Sequence, residues 1–179
     1  KALALVTGAR KTSNELTSLA DTLDLKVIET EGHSIANRLV GRLPLIYSSN
    51  RYAPLAYFWK ITMNETAKIP AFSNIVPEEN HNELEGFDTK QPLAPFSVLS
   101  FTGADDHPRI VKRLAILAEI LPSLDVPVEQ IYLVGLSPTE RVIHSILLAN
   151  FTALALAAAR GIDPAVTPVI ENFKHHVAF

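Results

Sequence analysis

Apolar and polar positions along this chain follow two periods in turn. From Ser13 to Asp24, Leu16, Leu19 and Leu23 recur at helical spacing, with Ser13 at the cap and Glu15 in the first turn, which predicts a helix. Ser34 predicts the cap of a second, short helix through Ile35, Leu39 and Val40, ended by Gly41. Leu43 to Tyr47 is a short apolar run and reads as a buried strand. A polar loop, Ser48-Ser49-Asn50, leads to a helix from about Pro54 to Lys68. Strand, small polar loop and helix make the βα unit of a parallel sheet.

The second half repeats that rhythm. Residues 88–95 carry two prolines and read as a loop; Phe96 to Phe101 alternates and reads as a strand. Pro108 suits the first turn of a helix running to Leu121, and Val126 to Val134 is a further strand. Ser137 caps a long helix from Pro138 to Arg160, Gly161 stops it, and Asp163-Pro164 starts a last helix ending near Val177. Strands and helices in alternation predict an α/β fold with a mainly parallel sheet.

Composition narrows the function classes. A hydrophobic share of 47% fits a folded globule, and a net charge of −3 shows no basic face for nucleic acid. There is no cysteine, so disulfides and thiolate metal sites are excluded, as fits a cytoplasmic protein. The most apolar run, Leu147 to Ala159, is broken by Asn150 and Thr152 and falls short of the ~20 residues of a membrane span. The apolar run in residues 1–10 is too short for a signal peptide. The chain opens on Lys1 rather than Met and reads as a piece of something longer.

Candidate chemistry concentrates between Trp59 and Phe87, where acids, amides and one histidine crowd a span with no glycine before Gly86. Glu65 and His81 are its candidate proton-transfer groups. Taken singly, each has a plain reading: Glu65 a solvated acid, His81 a loop residue, Lys174 an exposed lysine suited to a helix end, Thr167 a surface hydroxyl. Ser48 and Ser49, at a strand–helix junction, can hold a phosphate. His175 and His176 are adjacent, so a helix points them apart, and no metal site is expected there.

The ordered set of motifs says more. Trp59-Lys60 with Asn64-Glu65-Thr66-Ala67-Lys68 is followed by Pro77-Glu78-Glu79-Asn80-His81-Asn82-Glu83 and Gly86. Asn150-Phe151 with Leu154-Ala155, Gly161-Ile162-Asp163-Pro164, Val166-Thr167 and Ile170 to Lys174 complete it. In these residues the chain resembles the C-terminal half of the bifunctional phosphoglucose/phosphomannose isomerases, which are built from two sugar-isomerase (SIS) domains. The match covers roughly residues 34–177. It implies a three-layer SIS-type domain over 34–179, with 1–33 a helical connecting segment and the N-terminal SIS half absent.

What the resemblance implies is aldose–ketose isomerisation of glucose 6-phosphate, and of mannose 6-phosphate, to fructose 6-phosphate through a cis-enediol, as in glycolysis. Glu65 then moves the proton between C1 and C2. His81 assists ring opening from the partner subunit of a homodimer. Lys174 serves the ring-opening end of the site, and Thr167 is linked to accepting mannose phosphate. No cofactor or metal is implied. The phosphate-gripping loops belong to the N-terminal half, so this domain alone lacks a complete site. The family often has a basic residue where Phe58 stands here. The alternative is a non-catalytic sugar-phosphate-binding or regulatory SIS module; a domain used only for dimerisation is a third reading.

The segment between Glu65 and His81 reaches up to ~50 Å when extended, enough to serve different sites of a dimer. Thr167 and Lys174 stand two helical turns apart, a spacing at which they can share one face of a helix.

Overall fold

The structure, a computed structural model, describes residues 10–87 and 94–177. The leader reading on residues 1–10 and the loop over 88–95 lie outside them, apart from Arg10, Ala94 and Pro95. In chain order the elements are α1 (Arg10–Thr22), α2 (Leu25–Leu39), β1 (Leu43–Ser49), α3 (Ala53–Glu65), β2 (Phe72–Val76), α4 (Glu78–Asn82), β3 (Phe96–Gly103), α5 (Pro108–Ile120), β4 (Val128–Leu133), α6 (Pro138–Ala159) and α7 (Pro168–Val177).

The described strands form one sheet in the order β2-β1-β3-β4, every neighbouring pair parallel. Strand alternation divides the core between its two faces. Ile46, Leu99, Phe101, Ile131 and Leu133 pack under α2, α3 and α6. Leu45, Tyr47 and Val98 pack under α5, with Leu114 and Leu117. Helices on both faces of a parallel sheet give the expected three layers. At the centre of the first face Trp59 is fully buried, edge-on to Phe101 at 5.1 Å, its indole N–H donating to Ser145 Oγ at 3.0 Å.

The largest departure from the sequence reading is α2. Ser34 lies inside this helix, not at its start; the cap is Asp24, whose carboxylate accepts the N–H groups of Lys26 and Val27 at 3.0 and 3.2 Å. Ile28, Gly32, Ile35, Ala36 and Leu39 make one buried stripe, so the boundary drawn between residues 33 and 34 falls within a single core helix. Gly32 obscured that stripe. A Cβ there would sit 2.8 Å from Phe151 Cβ and 2.9 Å from the Thr152 nitrogen, so the residue is the contact at which α2 and α6 cross closely. Likewise α1 begins before Ser13.

Other expectations held with shifted ends. Ser137 caps α6, accepting from the Glu140 N–H at 3.1 Å, and Gly161 stops it at φ +65°. By length and composition α6 is apolar enough to cross a bilayer; here it lies against α2, α3 and β4, with a stripe from Arg141 to Ala157 buried. The last helix starts at Pro168, not at Asp163. The Asp163 carboxylate instead accepts the Ala165 N–H at 2.8 Å and turns the chain.

Candidate active site

Glu65 is the last residue of α3, which ends three residues short of the expected Lys68. Thr66 closes the helix on Thr62, and Lys68 takes a left-handed φ of +53°, which no helix can continue. The following turn is tied to the rest of the domain through its carbonyls. Arg160 donates to those of Ala67 and Lys68, Lys68 Nζ to those of Glu65 and Pro164, and Asn64 Nδ2 to that of Ile69 at 2.8 Å. These bonds hold the backbone at Glu65 and leave its carboxylate free: among the described residues that side chain is exposed and has no partner.

Glu65 and Thr167 line the same cleft, about 640 Å³, together with Asn64, Lys68 and the apolar residues Ile69 and Ile170. Thr167 immediately precedes α7, and its carbonyl accepts the first helical bond, from Glu171 at 3.0 Å. The structure thus brings together two residues a hundred positions apart. It does not bring Lys174 into the lining. That ammonium is exposed on α7, paired with Glu171 at 2.7 Å. No residue of α7 is buried; Val169, in the cleft lining, and Phe173, one turn on, stand 81% and 67% exposed, so among the described residues this flank is an uncovered apolar wall.

His81 lies elsewhere. Glu65 precedes β2 and His81 follows it, so the two sit at opposite ends of the strands, separated by a five-residue strand of ~16 Å. His81 is exposed on α4. The inner face of α4 was missed in the sequence. Glu79 is fully buried, and Glu83, one turn on, receives the Tyr47 hydroxyl at 2.7 Å and the Asn74 amide. Burial, reinforced by the neighbouring Glu83 charge, raises the Glu79 carboxyl to about 7. Burial first, then the bond to Glu83, pushes the Tyr47 hydroxyl far above its ordinary value.

The crevice between the ends of β1 and β3, the switch point of this strand order, is where open α/β sheets hold ligands. Ser48 and Ser49 end β1 rather than lying in a loop there; both are buried, Ser48 Oγ donates to the Ser49 carbonyl at 3.1 Å, and Ser49 Oγ has no partner among the described residues. Among the described residues, Arg51 and Arg141 beside it hold an anion from the chain itself. Asp105 accepts the Tyr52 hydroxyl and pairs with Arg51 at 3.3 Å and Arg141 at 3.4 Å. The Tyr52 hydrogen bond, helped by the arginines, holds Asp105 below the usual carboxylate range. Burial and that same bond push Tyr52 up to about 12. Tyr52, Asp105 and Arg141 carry no motif, and only the fold assembles them.

Comparison with known proteins places this geometry in a family. The model of the bacterial phospho-glucose isomerase C-terminal SIS domain matches residues 28–177. A bifunctional phosphoglucose/phosphomannose isomerase of Aquifex aeolicus is 32% identical over 154 residues, which are 86% of this chain and 48% of that protein. The chain therefore spans about half the length of that relative. A D-glucosamine-6-phosphate 4-epimerase of Sulfolobus acidocaldarius is 46% identical over a shorter stretch of 57 residues, 32% of this chain and 18% of that protein. In fold, the chain superposes on a glucose-6-phosphate isomerase-like protein of Thermus thermophilus with TM-score 0.67 at 22% identity, covering 97% of this chain and 59% of that one. The chain belongs to the family of bacterial phospho-glucose isomerase C-terminal SIS domains.

Proposed function

We propose that this domain supplies the proton-transfer half of a phosphoglucose/phosphomannose isomerase site. The observation that carries the reading is the meeting of Glu65 and Thr167 in one cleft, on a domain of this family. Glu65 removes the C2 proton of the open-chain aldose phosphate and returns it to C1. The C1 carbonyl becomes a hydroxyl, the C2 hydroxyl becomes a carbonyl, and a cis-enediol lies between. Thr167 contacts the sugar near the carbon that distinguishes mannose from glucose. Lys174, one flank away, leaves Glu171 to steady the enediolate oxygen once the apolar wall of α7 is covered.

The covering surface is the N-terminal SIS half of the same protein, and it brings the phosphate grip. The Asp105-filled crevice supports that division, since its arginines are already engaged. Placement of His81 at the opposite end of the strands supports a homodimer in which it assists ring opening in the neighbour's site. The setting we propose is glycolytic and cytoplasmic.

The test is a coupled assay of the full-length protein with fructose 6-phosphate. Wild type turns over and Glu65→Gln does not; equal turnover by both removes Glu65 as the base. A second reading, 4-epimerisation of glucosamine 6-phosphate, is favoured by the short, more identical match to the epimerase. Turnover of glucosamine 6-phosphate without turnover of glucose 6-phosphate selects it. Binding of hexose 6-phosphate with no turnover of either selects the regulatory module.

A further inference from the structure

Helix α4 cannot hold its own shape. It has five residues, fewer than isolated helices need by a factor of two or more, so its form and rotation come from what it is fastened to. Its outer face carries Glu78, His81 and Asn82, all exposed; its inner face carries Glu79 and leads to Glu83 at the C-cap. His81 stands two residues from each of these acids, a spacing that places it on the opposite side of the helix. Whatever fixes the inner pair therefore fixes the side of the helix from which the His81 side chain leaves.

Glu83 is what does so. One carboxylate oxygen accepts the Tyr47 hydroxyl of β1 at 2.7 Å, and the other accepts the Asn74 amide of β2. Asn74 is itself oriented, its Oδ1 accepting the Ile75 N–H at 2.8 Å. Glu83 also closes the helix by donating its backbone N–H to the Glu79 carbonyl at 2.9 Å. A single residue thus joins the end of α4 to two adjacent strands. Charged acceptors make the stronger hydrogen bonds, and a two-oxygen grip fixes orientation as well as distance. Glu79 has no comparable hold: its Oε2 accepts the amide of the adjacent Asn80 at 2.6 Å, and its Oε1 is buried with no partner.

We propose that Glu83, held by Tyr47 and Asn74, is the positioning residue that aims His81 at the neighbouring site. The proposal rests on the reading of His81 as the ring-opening group.

The experiment is a double-mutant cycle in the full-length protein, assayed on glucose 6-phosphate, with thermal unfolding of every variant. His81→Ala is expected to lower kcat by ~10²-fold. Glu83→Gln and Tyr47→Phe are each expected to lower it by ~10-fold or more with KM within about twofold. Added to His81→Ala, neither is expected to cost more than about twofold further, because both act through a side chain already removed. A merely structural role lowers activity equally in both backgrounds and overturns the proposal, as does wild-type kcat in Glu83→Gln. If Glu83→Gln fails to fold, Tyr47→Phe, which deletes only a hydroxyl, decides by the same criteria. Unchanged turnover in His81→Ala fails the reading of His81 and the proposal with it; a loss in His81→Ala with none in Tyr47→Phe or Glu83→Gln fails the proposal alone.

Discussion

The two ends of the sheet treat their carboxylates in opposite ways. At the C-terminal end of the strands Glu83 is held by Tyr47 and Asn74, Asp105 is engaged by Tyr52 and two arginines, and Glu79 is buried. At the N-terminal end the backbone around Glu65 is tied down while its side chain is left without a partner, in a cleft with an apolar, uncovered flank. A carboxylate on a fixed backbone but without a partner of its own is a group prepared for something that arrives. The difference teaches which carboxylates to test by rate and which by stability. Substitution of Glu65 should change rates with little effect on stability, whereas substitution of the buried Glu79 should change stability first.

The strongest way to break that contrast is Glu65→Gln. A well-placed general base contributes ~10²–10⁴ in rate, so kcat in the full-length protein should fall by that factor while the melting temperature stays put. A fall in melting temperature of several degrees with only a small kinetic loss would make Glu65 an architectural residue like those at the other end. The counterpart at that end is Glu79. Its carboxyl titrates at about 7 when folded and near 4.5 when unfolded. Between these values the unfolded chain gives up a proton that the native state keeps, so stability is full below the lower value and is lost as pH rises toward the upper. The loss amounts to about 3 kcal/mol. Glu79→Gln should flatten this dependence and leave the variant more stable than wild type at pH 8. Denaturant unfolding from pH 4.5 to 8 checks it; parallel curves for the two proteins would contradict a buried, neutral acid.

How much of this was legible in the sequence follows from where each signal resides. The strands β1, β3 and β4 and the helices α3, α5 and α6 could be read because their apolar periods are regular and their caps stand in place. The stripe of α2 could not, because Gly32, read locally, is a break, and its reason is Phe151 on another helix. Nor could β2: it is the outermost strand on its side, with Phe72 exposed and Ser73 and Asn74 in its middle, so no alternation marks it. Without β2 the sequence could not show that Glu65 and His81 lie at opposite ends of the strands. Glu65, His81, Thr167 and Lys174 were found as a set only through resemblance, since each alone has an ordinary explanation. The shared cleft of Glu65 and Thr167 needed coordinates, as did the grip on Glu83. That grip depends on Tyr47, an apolar-looking member of a buried strand, whose hydroxyl gives no sign of its partner.

Lys174 offers a finer cut at the N-terminal end. Its pair with Glu171 is exposed on both sides, and such pairs contribute only ~0–1 kcal/mol, so Lys174→Met should leave unfolding almost unchanged. Turnover should still fall by ~10², the usual cost of losing one donor to a developing oxyanion. Equal activity would leave α7 as a wall and nothing more.

Thr167→Val sharpens the comparison with the smallest expected effect. Valine keeps the branching of threonine and replaces one hydroxyl in the cleft lining with a methyl group. Thr167 is only half-buried, and its structural bond to Glu171 runs through the carbonyl, which valine retains. Stability therefore should not move. Discrimination between two sugars that differ in one stereocentre rests on few contacts, so the ratio of kcat/KM for mannose 6-phosphate over glucose 6-phosphate should fall by about tenfold, with glucose 6-phosphate turnover nearly kept. An equal loss on both sugars would mean that the hydroxyl orders the cleft without reading the sugar. Thr167 would then resemble Glu83 at the other end, a residue whose effect passes through its neighbours.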